Sequence, residues 1–128
     1  MKAKLSFDAR GLAAAVLAGS LNALRRAGAY VRRAARHKVK TNDHPSPPGS
    51  PPHSRAGLLK RSILFGLDKP ARTVVIGPAE SVIGNAMAAH EFGGRYKRER
   101  YPARPLMGPT LTSTAPKLAQ FWRDSVTD

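Results

Sequence analysis

The side chains best suited to chemistry in this sequence are cations, and they come in two groups. Arg25, Arg26, Arg32, Arg33 and Arg36 share one stretch, while Arg95, Lys97, Arg98 and Arg100 alternate with other residues beside Tyr96 and Tyr101. Guanidinium and ammonium groups hold phosphate oxygens without reading a base sequence, and tyrosines set among cations stack on bases. Each group also has a plainer reading: the solvated face of a core-packed helix for the first, an ordinary exposed turn for the second. Arg104 stands alone between Ala103 and Pro105, where the flanking prolines restrict its direction. These ten residues are the candidates for an interface or for a channel that passes DNA.

Other chemistries lack their residues. His37, His44, His53 and His90 have no cysteine among them and no spacing that puts two on one helical face, so no metal site is expected. His90 and Glu91 are adjacent, so on a helix they do not face each other, and no nucleophile motif accompanies them. Structural or intersubunit polar contacts suit them better than catalysis. Gly77-Pro78 and Gly93-Gly94-Arg95 lack the Lys-Ser/Thr of a phosphate-binding loop and the spacing of a dinucleotide fingerprint. With 8 Asp and Glu in the chain, a paired-carboxylate or two-metal centre is not expected. The sequence reads as a non-enzyme that needs no cofactor.

Composition bounds the rest. The 128 residues suit one domain, and 41% are hydrophobic but only 6% aromatic, so Leu, Val, Ile and Ala must fill a modest core. Partners are expected to add to its stability. Twenty-two Lys and Arg against eight acids leave a net charge of +14, which favours polyanions or acidic protein surfaces. Cysteine is absent, which excludes disulfides and thiolate chemistry. No leader pattern opens the sequence, and no apolar run approaches the roughly 20 residues of a membrane span. A chain made soluble in the cytoplasm is expected.

The elements that must position these cations form an α+β pattern. Residues 8–37 read as one long helix, capped by Asp8, with Leu17, Leu21, Leu24, Gly28, Val31 and Ala35 at alternating four- and three-residue steps. The arginines fall on its other side, and Gly19 or Gly28 marks a close helix contact or a kink. Residues 40–56 carry prolines at 45, 47, 48, 51 and 52, which excludes helix or central strand. This loop or arm either reaches outward to a neighbour or lies disordered on the surface. Residues 57–67 suit a short helix passing into a strand, or a strand throughout. A turn at Asp68-Lys69-Pro70 and the β-branched run 73–77 complete an antiparallel pair. Residues 81–92 read as a short middle helix stopped by Gly93-Gly94. Leu106-Met107 suit the end of an edge strand, and Pro109 opens a C-terminal helix over 110–126, which either starts after Thr114 or kinks at Pro116.

Three blocks in order carry a family resemblance: Gly57, Leu58, Ser62 and Ile63; Glu91-Phe92-Gly93; and Ala103-Arg104-Pro105 with Pro109. With the helices and strand around them, they resemble the tail-completion and neck proteins of tailed bacteriophages, the phage virion morphogenesis family. Leu106 stands where the family usually has Phe. The resemblance covers most of the chain and implies a small, mainly antiparallel sheet with a C-terminal helix packed on it. It further implies a homo-oligomeric ring, usually a hexamer, at the head-tail junction of the virion. Such a ring meets a head connector on the portal side and a tail-tube or tail-terminator protein, and lets genome DNA pass. Under this resemblance, truncating Arg104 should impair assembly more than folding. A free, sequence-nonspecific nucleic-acid-binding protein is the alternative, and an assembly chaperone or enzyme a third.

Overall fold

The fold was analysed as a computed structural model, which describes residues 4–7, 15–54, 57–79, 91, 93–96 and 99–126. Strands β1 (Lys4–Phe7), β2 (Ala15–Ala18), β3 (Ile63–Asp68) and β4 (Thr73–Pro78) form an antiparallel sheet in the order β1-β2-β4-β3. Helix α1 (Leu21–Lys38) follows β2, and a short helix α2 (Leu58–Ser62) leads into β3. A separate hairpin, β5 (Gly94–Tyr96) and β6 (Glu99–Tyr101), precedes helix α3 (Met107–Val126). The fold class is α+β, as expected.

The N-terminal helix is shorter than its apolar spacing suggested. Residues 15–18 are not helical but form the central strand β2, paired with β1 on one side and β4 on the other. Leu17 is buried opposite Val74 in this register, and Leu24 is buried on the first turns of α1. One apolar series therefore runs through a strand and then a helix, and spacing alone cannot mark where one becomes the other. Ser20 marks it: its backbone is extended (φ −69°, ψ 153°) and its Oγ accepts the Ala23 N–H at 3.3 Å, a side-chain N-cap. The proposed Asp8 cap lies outside the described residues, as does the middle helix over 81–92 except for Glu91, which is helical.

Helix α1 lies on the inner face of the sheet, against β3 and β4, with α3 alongside it. Ile63, Val74 and Ile76 from the sheet meet Leu24, Val31 and Ala35 of α1, and Leu111, Leu118 and Phe121 of α3 close the core. The C-terminal helix reaches the sheet itself at β2. Gly28 is the close contact foreseen in α1: a Cβ there would stand 2.6 Å from Cδ2 of Phe65 on β3. Only a residue without a side chain lets the helix approach the ring so closely.

The helix α3 begins at Met107, so Leu106 and Met107 do not end an edge strand; both are buried at the helix start. Pro116 lies inside α3 rather than in its first turn. A proline there removes one backbone donor, at a cost of about 3 kcal/mol that packing of the apolar stripe must offset.

Candidate functional site

Over residues 40–54 the Pro-rich segment is a closed loop. Ser54 N–H donates to the Lys40 carbonyl at 2.8 Å and Asn42 N–H to the Ser54 carbonyl at 3.2 Å, which brings the two ends together. His53 Nδ1 donates to the His44 carbonyl at 2.8 Å inside the loop. Ser46 and Pro52 are buried. Two bonds then fasten the loop to the approach to α3: Gly49 N–H donates to the Ala103 carbonyl at 2.8 Å, and Arg104 Nε donates to the Ser46 carbonyl at 2.7 Å. Prolines donate no N–H, so the loop is held by the few donors it has and by donors from outside.

Arg104 is thus a tie within one chain. Its restricted direction was legible from the flanking residues, but its partner is a loop carbonyl 58 positions away. Its truncation therefore also removes a half-buried, charge-assisted bond within the chain.

Beside this tie sits Glu91, 6% exposed, with its carboxylate against the start of α3. Oε1 accepts the N–H groups of Leu106 and Met107, each at 2.8 Å, and Oε2 accepts that of Gly108 at 3.2 Å. Pro109 has no N–H, and Thr110 N–H already bonds the Leu106 carbonyl at 3.1 Å. Every orphan donor of the first turn is accounted for, and the negative charge lies at the positive end of the helix dipole. The second and third sequence blocks therefore meet in space at one corner. The first block is structural as well: Ser54 Oγ accepts the Leu59 N–H at 2.9 Å to cap α2, Ser62 Oγ donates to the Leu59 carbonyl, and Ala79 N–H bonds the Ser62 carbonyl.

The arginines of α1 divide into two rows. At 3.6 residues per turn, Arg25, Arg32 and Arg36 lie within about 40° of one another, and Arg26, Arg33 and His37 form a second row about 100° away. Arg26 stacks over the Phe121 ring at 4.8 Å, and Arg32 over the Phe65 ring at 5.0 Å. Arg36 Nη2 donates to the Ile63 carbonyl at 2.9 Å, while its Nε is buried with no partner. Arg25 and Arg33 are exposed.

The two rows and α2 enclose a cleft of about 220 Å³ lined by Arg32, Arg33, Arg36, His37 and Lys60. Among the described residues, no acid lines it. Three of the candidate arginines are brought together here, joined by His37 and Lys60, which sequence reasoning passed over. His37 was legible as the next step of the second row; Lys60 comes from a different helix, and no local pattern signals it. Arg25 and Arg26 lie further back along α1. The second cationic group is a hairpin rather than a plain turn: Arg95 pairs with Arg100 across β5 and β6. Arg100 is exposed, and Lys97 and Arg98 fall outside the described residues.

No family model, curated protein or solved structure matches this chain. Among the described residues, no group of His, Cys, Asp and Glu is placed to hold a metal ion, and no helix is long and apolar enough to cross a membrane.

Proposed function

We propose that this chain is a structural virion protein of the phage tail-completion and neck type, acting by assembly rather than catalysis. In this reading copies of the chain form a ring, a hexamer as the expected state, at the head-tail junction. The ring joins a connector on the portal side to the tail-tube or tail-terminator protein and lets genome DNA pass. The observation that carries the reading is the ordered set of three sequence blocks, each of which fastens a chain crossing: α2 into β3, Glu91 onto α3, and Arg104 onto the Pro-rich loop. What those ties leave over suits an assembling subunit. Leu58, Leu64 and Val75 stay 44–45% exposed, and an acid-free basic strip lies along α1. Apolar side chains left outside a small core are what neighbours in a ring bury.

The experiment is a native mass spectrum and electron micrographs of the purified chain, alone and with portal and tail-tube proteins. Rings of uniform stoichiometry are expected. A chain that stays monomeric beside those partners would sink the reading.

The basic cleft favours the second reading, a sequence-nonspecific nucleic-acid-binding protein that works without a ring. It requires the isolated monomer to bind duplex DNA with a steep salt dependence, about 0.9 in slope per phosphate neutralised. Weak binding that hardly changes with salt removes it.

A further inference from the structure

We propose that the cleft between α1 and α2 is a phosphate site that grips the sugar-phosphate backbone of duplex DNA without reading its bases. The inference rests on the reading that genome DNA passes this protein, and it says which cations meet that DNA.

The cleft is built for an anion. Among the described residues its walls are three arginines, a lysine and a histidine, and its volume of about 220 Å³ holds a phosphate together with water, a water molecule taking about 30 Å³ in the liquid. Two of its guanidinium groups are already fixed. Arg32 rests on the Phe65 ring and Arg36 is anchored by the Ile63 carbonyl, so little side-chain freedom is lost when a ligand arrives. Arg36 also keeps a buried Nε donor that has no acceptor among the described residues. Donors of that kind are normally satisfied, by protein, water or a bound group.

One feature of the location opposes an anion. The C-terminal end of α1 carries the partial negative charge of the helix dipole. Arg36 and Lys38 occupy that last turn and offset it with full charges.

The array favours a nucleic acid over a carboxylate. The rows continue from the cleft back to Arg25 and Arg26, about 16 Å along the helix axis. A line of cations suits a polymer of evenly repeated charge, and duplex DNA carries one charge per ~1.7 Å of its axis. Among the described residues no Phe, Tyr, Trp, Asn or Gln lines the cleft, so it offers no large stacking platform and no amide reader of base edges.

The test uses the full chain and a labelled duplex of about 20 base pairs, with binding followed by fluorescence anisotropy over a series of salt concentrations. Arg33→Ala with Lys60→Ala removes two lining cations whose side chains make no hydrogen bond or ion pair among the described residues. Lys69→Ala with Arg123→Ala removes the same charge from exposed positions outside the cleft. The cleft pair should weaken binding about tenfold and lower the salt slope by about 1.8, at about 0.9 per phosphate, while the outside pair changes the slope little. Equal losses from both pairs would overturn the proposal, since affinity would then follow net charge alone. So would unchanged DNA binding by the cleft pair. A third overturning result is loss of poly-glutamate binding in the cleft pair with DNA binding intact, which makes the cleft a seat for an acidic protein. Native mass spectra of the same variants separate the two ideas. Rings that form while the cleft pair binds DNA like the wild type sink the phosphate site and spare the neck reading; a monomer whose DNA binding depends on the cleft does the reverse.

Discussion

Arg104 and Arg36 each reach across the chain to a backbone carbonyl, yet they sit in opposite surroundings. At the Arg104 corner the charged groups meet backbone partners, although Ser46 Oγ is buried without a partner among the described residues. The Arg104 Nε has the Ser46 carbonyl, and the buried Glu91 carboxylate has the N–H groups of Leu106, Met107 and Gly108. At the Arg36 cleft the carbonyl of Ile63 takes one donor, Nε is left over, and four more basic residues gather with no acid lining the cleft among the described residues. The same side-chain chemistry is consumed inside the fold in one place and, among the described residues, meets no acid in the other. With 22 cations and 8 acids this chain cannot match all its charges internally, so where the acids are placed decides which surfaces remain basic. Glu91 is placed where it completes a helix.

The comparison breaks most visibly at Glu91. Glu91→Ala leaves the start of α3 with unsatisfied donors in a buried setting and should cost about 2–4 kcal/mol, read as a lower urea midpoint in chemical denaturation. Glu91→Gln, which keeps an acceptor oxygen, should recover part of that loss. Stability within error of wild type for Glu91→Ala would mean the corner is not a closed account of charge. Gly28→Ala comes next. The new Cβ must displace the Phe65 ring, which outweighs the gain of about 1 kcal/mol in helix propensity, for a net loss of about 1–2 kcal/mol. Pairing it with Phe65→Leu should relieve the clash, and failure to do so would place the strain elsewhere.

Arg104→Ala should cost about 1–2 kcal/mol through one charge-assisted bond and should loosen residues 46–49, measurable as faster amide exchange at Gly49. A large loss of ring assembly without that loosening would return Arg104 to the interface role its sequence suggested. The smallest effect is expected on the open side. Arg33→Ala with Lys60→Ala should leave the unfolding midpoint within about 0.5 kcal/mol of wild type, because surface substitutions that break no contact rarely do more. A clear destabilisation would show those cations to be spent inside the fold, and the contrast between the two regions would fail.

How much of this was legible beforehand depends on the distance between cause and effect along the chain. The β3–β4 hairpin was legible because its turn at Asp68-Lys69-Pro70 and its β-branched run are contiguous. The arginine-bearing half of α1 was legible from its periodicity. Strand β2 was not, because Ala15-Val16-Leu17-Ala18 is too short a run to separate strand from helix, and its partners lie far away in β4. Leu106 and Met107 were misplaced for a similar reason. Their helix-start signal is Glu91, fifteen positions before Leu106, whereas a sequence search looks for a cap next door. At the cleft, three arginines were candidates from the outset, but the contribution of Lys60 depends on how α2 docks beside α1. Periodicity names the face of a helix; it does not say which distant residue completes it.

The 58-residue span of the Arg104–Ser46 tie also bears on the order in which the molecule takes shape. Contacts so far apart in sequence cannot reward the chain until the segments between them are already arranged, because the entropy of closing the intervening loop is lost first. Helix α1 and the β3–β4 hairpin can organise early from nearby contacts, while the Pro-rich loop and the head of α3 meet only after the sheet has gathered. Mutations at the corner should therefore speed unfolding far more than they slow refolding.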